Sequence, residues 1–94
     1  MNPDREIKSV LLHVHGRVQG VGFRFYTQKK ANELNIKGFV QNKPDGSVYI
    51  EAEGQSDFIE QFILWCEAGP SWARVSQLTK QFVPHQGFTD FSIR

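Results

Sequence analysis

A single cysteine, Cys66, excludes an internal disulfide framework and fits a reducing compartment. Long apolar runs are missing too: the longest cluster, FILWC from Phe62 to Cys66, falls far short of the roughly 20 residues that a membrane span needs. Nor is there an excess of one charge. Eleven basic and ten acidic side chains leave a formal net charge of +1, so no global field draws in nucleic acid or an anionic membrane, and any anion site must be local. The N-terminal MNPDREIK carries both signs of charge and leads into no signal-like apolar segment. A cytoplasmic location is therefore expected, with residues 1–7 as a flexible N-terminal segment. Repeats, low-complexity tracts and linkers are absent, and 94 residues are expected to form one domain.

What is present is a clear change of hydrophobic period along the chain. In VLLHVHG, Val10, Leu12 and Val14 fall on one side and Leu11, His13 and His15 on the other, which predicts a half-buried strand. Phe23, Thr27, Ala31 and Leu34 then line one stripe of a helix that is expected to stop near Asn35, a residue tolerant of left-handed backbone. IKGFVQN, the turn KPDG and SVYIEAEG predict a hairpin, because Pro44 presets a turn angle and Gly46 permits a positive one. Ser56 is the expected N-cap of a second helix of about three turns, with Phe58, Ile59, Phe62, Ile63 and Cys66 on one stripe and Gly69-Pro70 ending it. Ala73 to Val83 predicts another strand, and FTDFSIR at the C-terminus a short edge strand. The order β-α-β-β-α-β, with a possible fifth strand, points to an α+β ferredoxin-like sandwich: an antiparallel sheet carrying both helices on one face.

Between the first strand and the first helix lies GRVQGVGFR, Gly16 to Arg24. A strand that ends in glycines and passes straight into a helix leaves N–H groups unpaired at the positive end of the helix dipole, a concavity suited to phosphate. Gly20 and Gly22 let the main chain approach a ligand closely, and Arg24 offers a bidentate fork to two phosphate oxygens. Arg17 adds long-range attraction. The common nucleotide loops do not fit: a Walker loop would need Gly-Lys-Ser/Thr where Gly22-Phe23-Arg24 stands, and the dinucleotide fingerprint would need glycine at Phe25.

The whole string, GRVQGVGFRFYTQKKANEL followed by GFVQNKPDGSVYIEAEG, closely resembles the acylphosphatase family, and the resemblance runs from about Val10 to Ile93. It implies a ferredoxin-like hydrolase of carboxylic-phosphoric mixed anhydrides that uses neither metal nor cofactor. By the same resemblance Arg24 is the phosphate-binding arginine, Asn42 orients the attacking water, and the backbone of Gln19, Gly20, Val21, Gly22 and Phe23 cradles the phosphate. Departures are small: Asn35-Ile36 stands where the family often has Gly-Leu, and Gly22 where some members carry an aromatic. The implied partners are a small acyl phosphate and inorganic phosphate at the loop, with no nucleic acid and no membrane. A monomer is the simplest expectation. Such modules also occur fused within larger proteins that handle carbamoyl phosphate; this chain ends soon after the module, as expected of a free-standing enzyme.

The chemistry is consistent with these residue types. A carboxylate leaving group needs no protonation by a general acid. Fixed N–H donors and a guanidinium match the charge that a loose phosphoryl-transfer transition state spreads over its equatorial oxygens. Asn42 is no useful base, but its carboxamide can place a water in line.

Other candidates carry less. His13-x-His15 would bind a metal only if a third ligand converged, and neither His85, in a distant loop, nor Cys66, on a core stripe, is expected there, so no metal site is expected. Cys66 is expected to be a buried thiol rather than a nucleophile. Glu51 and Glu53 are expected to solvate the outer face of a strand, Asp45 to belong to the turn, and Trp65 and Trp72 to pack. An RNA-recognition motif shares the element order, and KGFV begins like its signature, but Val40 and Gln41 stand where a small residue and a second aromatic are required.

Overall fold

A computed structural model of the chain describes residues 6–94. The elements are β1 (Ile7–Arg17), α1 (Phe23–Glu33), β2 (Lys37–Asn42), β3 (Val48–Gln55), α2 (Ser56–Ala68), β4 (Arg74–Val83) and β5 (Phe91–Ile93). They form one five-stranded sheet in the order β4-β1-β3-β2-β5. The four longer strands pair antiparallel.

The expected alternation along β1 holds. Val10, Leu12 and Val14 are buried opposite Ala52, Ile50 and Val48 of β3, and both helices cover that face. Phe23, Thr27 and Ala31 of α1 and Ile59, Phe62, Ile63 and Cys66 of α2 complete the core. Burying one such Leu, Ile or Phe side chain contributes about 1.5–3 kcal/mol, which makes the double layer the main source of cohesion. Asn35 adopts the left-handed conformation, φ 54, just past α1, as its residue type predicts.

Two expectations are corrected. The sheet is mixed rather than wholly antiparallel, because β5 pairs parallel to β2, with Gly38 opposite Phe91 and Val40 opposite Ile93. β4 and β5 occupy opposite edges, so the connecting segment must cross the sheet, and it does so on the face without helices. Secondly, Ser56 is not the N-cap. β3 runs into α2 without a loop, Gln55 takes the cap position, and the Ser56 N–H donates to the Glu6 carbonyl at 2.8 Å. Of the N-terminal segment 1–7, residues 1–5 lie outside the described residues, and Ile7 pairs with Gln55 in β1.

Strand directions decide where a site can form. β1, β2 and β5 all run toward the same end of the sheet, so Arg17, Asn42 and Ile93 finish near one another, where α1 begins. Among the described residues, no helix is long and apolar enough to cross a membrane.

Candidate active site

Val18, 1% exposed, anchors the chain in the core as it leaves β1. The next residues alternate in hand: Gly20 has φ 75 and Gly22 φ 78, while the intervening Val21 is negative. Alternation of this kind turns successive N–H groups toward a common side, the arrangement that binds anions. A side chain at Gly22 would be strained by its φ and would bring a Cβ within 3.3 Å of the Tyr26 ring. Gly22 is also the N-cap of α1, with no side-chain cap bond, and its carbonyl accepts from the Tyr26 N–H at 3.1 Å. Among the described residues, no protein acceptor takes the N–H of Gln19, Gly20, Val21, Gly22 or Phe23. These donors therefore face solvent or a ligand, with the positive end of the helix dipole behind them.

A pocket of about 230 Å³ brings together this loop, Arg24, Asn42 and Ile93. Arg24, half-buried in the first turn of α1, donates from Nη1 to the main-chain oxygen of Arg94 at 3.2 Å. Among the described residues no Asp or Glu side chain pairs with it. Most of its five N–H donors are left for an anion. Asn42 ends β2 on the side of Val40, toward the helices, and is exposed. Residues singled out from the sequence thus converge here: Gln19, Gly20, Gly22, Phe23, Arg24 and Asn42 all line the pocket, whereas Val21 borders the neighbouring hollow.

Sequence reasoning missed the Gln19 side chain. Its Nε2 donates to the carbonyls of Lys43 and Ser47, each at 2.8 Å, and so clamps the loop to the β2–β3 turn that follows Asn42. Gln28 similarly donates to the Phe91 carbonyl at 2.9 Å and ties α1 to β5. Both glutamines have partners distant in sequence, so no local pattern marks them.

The larger hollow, about 620 Å³, holds neither Arg24 nor Asn42. Arg17, Gly20, Trp72 and Arg74 border it, and Gly20 is shared with the loop pocket. Trp72 is 76% exposed there, which corrects the expectation that it packs. Trp65 does pack, its ring 5.9 Å from that of Phe23.

The remaining candidates separate clearly. Cys66 is fully buried, and burial foremost, with the Glu67 charge second, pushes its thiol well up, so it supplies no thiolate. Glu53 is not on a solvated face: it is 4% exposed and accepts from Ser9 Oγ and from the N–H groups of Gln86, Gly87 and Phe88. Burial pushes its carboxyl up, but the bonds from Ser9, Gln86 and Gly87 outweigh that and hold it below the usual value. The crossing segment 84–90 is thereby fastened to the sheet. Phe39, which an RNA-binding sheet would leave bare for stacking, is covered by Phe88 at 5.9 Å and by the Arg94 guanidinium at 3.9 Å.

Comparison with known proteins shows the family. A sequence model of the acylphosphatase family matches residues 10–93. The chain is 38% identical over 96 residues to an acylphosphatase of Trichormus variabilis, covering 98% of this chain and 95% of that protein. A solved structure of an acylphosphatase from Coxiella burnetii matches with a TM-score of 0.91 at 35% identity, over 94% of this chain and 93% of that one. HypF of T. kodakarensis carries a similar unit, with a TM-score of 0.77 at 40% identity over 92% of this chain but 11% of the HypF chain. With the glycine loop, Arg24 and Asn42 all inside the matched residues 10–93, and the relatives matching along most of both chains, the chain belongs to the acylphosphatase family.

Proposed function

We propose that this chain hydrolyses the carboxyl-phosphate anhydride of small acyl phosphates, such as acetyl or carbamoyl phosphate, to carboxylate and inorganic phosphate, with no metal or cofactor in the reaction. One observation supports this most: loop N–H groups without protein acceptors, a guanidinium and a carboxamide border one small pocket. The phosphoryl oxygens lie on the N–H groups of Gln19, Gly20, Val21, Gly22 and Phe23 and on the Arg24 fork. Asn42 holds a water in line with the bond to the acyl oxygen. As the water oxygen bonds to phosphorus, the phosphorus–acyl oxygen bond breaks, its electron pair leaves with the carboxylate, and the water's proton passes to a phosphate oxygen. Donors already fixed by the fold meet the transition-state charge without reorganisation. Gly20 borders both hollows, so the acyl group leads from the phosphate toward Arg17 and Trp72.

Benzoyl phosphate in buffer containing EDTA tests this against a phosphate monoester. Wild type is expected to hydrolyse the anhydride and leave the monoester, and Arg24→Ala to lose binding and turnover together. Equal turnover by Arg24→Ala, or equal attack on the monoester, overturns the proposal. It also takes residues 1–94 as one monomeric domain of the cytoplasm, for which sedimentation at the mass of one chain and recovery in the soluble cell fraction are the expected results.

A further inference from the structure

On the face of the sheet away from the helices, His13 and His15 leave the same side of β1 two residues apart, and their ring centroids are 4.2 Å apart. The sequence offers them no third ligand, but the fold does. The β2–β3 turn carries Asp45 to them, and one ligand atom from each of His13, His15 and Asp45 lies within 4.8 Å of the other two. Ser47 joins the group: its Oγ donates to Asp45 Oδ1 at 2.5 Å and lies 2.6 Å from His13 Nε2. Ser47 is 2% exposed, so this link holds the strand and the turn in a fixed relation.

We infer that His13, His15 and Asp45 form a binding site for a zinc-class divalent cation, distinct from the loop pocket and leaving a fourth position for water. Two imidazoles and a carboxylate suit a borderline cation such as zinc better than magnesium or calcium, which favour oxygen. Tetrahedral zinc, with bonds of about 2.0–2.1 Å, sets its donors about 3.3 Å apart. Separations of at most 4.8 Å put the three atoms within reach of that spacing through side-chain torsions, the two imidazoles being half-buried and the carboxylate exposed. Asp45 Oδ1 accepts from the Ser47 N–H and hydroxyl, which leaves Oδ2 for a cation.

Around the trio, Thr79 and Tyr49 flank His13 and Gln77 lies opposite His15, while Lys43 holds its Nζ 4.8 Å from the Tyr49 ring centroid. When His13 turns to a cation, Ser47 retains its bonds to Asp45, which then act as the outer support that metal ligands ordinarily need. None of the three ligands lines the pocket of Arg24 and Asn42. A cation there grips the β2–β3 turn and takes no part in hydrolysis, so the inference stands whatever reaction the loop performs.

Zinc chloride titrated into chelator-stripped, dialysed protein, followed by calorimetry, tests the site. Wild type is expected to bind one zinc per chain, with His13 and His15 ring proton signals shifting together. His15→Gln and Asp45→Asn are each expected to weaken binding by about tenfold or more, and His85→Gln, whose ring lies 3.4 Å from Glu53 instead, to leave it unchanged. The His15 side chain makes no hydrogen bond among the described residues, so His15→Gln should keep the zinc-free thermal midpoint and separates lost ligation from lost folding. Absence of saturable binding by wild type, or an equal loss in His85→Gln, overturns the inference.

Discussion

Replacing Gln19 by Leu removes the clamp between the phosphate loop and the β2–β3 turn while keeping the side chain's bulk. Two hydrogen bonds of 2.8 Å are lost. At about 0.5–1.5 kcal/mol each, and near the lower end for carbonyls that water can reach, the stability cost is about 1–2 kcal/mol. For a chain of this length that lowers the thermal midpoint by roughly 5–15 °C. The effect on rate is separate. Ser47 O still accepts from Lys43 N–H at 2.9 Å, so the turn persists but is no longer referenced to the loop, and Asn42 immediately precedes it. A misplacement of about 1 Å in a positioning group lowers turnover by about 100-fold. Benzoyl phosphate hydrolysis below the melting range should therefore show kcat lowered by about 10- to 100-fold, while inhibition by inorganic phosphate changes little because the amides and Arg24 remain. Unchanged kcat alongside a lowered thermal midpoint would refute the reasoning and leave Gln19 a purely structural tie.

Asn42→Ala should lower kcat with phosphate affinity retained, in contrast to Arg24→Ala, where loss of a charge-assisted contact of about 1.5–3 kcal/mol weakens phosphate inhibition by 10-fold or more; full turnover by Asn42→Ala disproves the water-holding role. Glu53→Gln should destabilise the fold at neutral pH by about 1–3 kcal/mol. The carboxyl of Glu53 is held lower in the folded state than its ordinary 4.5, so its contribution is present above that value and fades as pH falls through the folded one. Urea melts from pH 7 downward should then show wild type and Glu53→Gln converging in acid, and parallel curves would reject the assignment. Cys66→Ala should keep kcat while losing stability, and the native wild-type thiol should react with a thiol reagent only as fast as the protein opens; rapid labelling of folded protein contradicts this.

Local pattern carried β1, α1, the hairpin and α2, because in each a buried residue recurs at the element's own period, as Val10, Leu12 and Val14 do. The glycine loop and the pairing of Arg24 with Asn42 at one pocket were legible for a different reason, the resemblance of an extended motif. What stayed hidden depends on segments meeting across the sheet. Glu53 alternates with Ala52 and so reads as solvated; only the crossing of 84–90 buries it. The parallel pairing of β5 follows from that same crossing, which three residues of edge strand cannot announce. Asp45 reads as a turn residue until the register of β1 with β3 brings His13 and His15 beside it. Trp72 has the composition of a core residue and the position of a surface one.

The contact between Arg24 and the Arg94 oxygen joins positions 70 apart, and Ile93 walls the pocket that the loop opens. Correct loop conformation alone leaves that hollow open on one flank. Regain of hydrolysis after dilution from denaturant should accordingly lag behind helix formation and keep pace with docking of the final strand, making enzymatic recovery a reporter of the slowest long-range closure in folding.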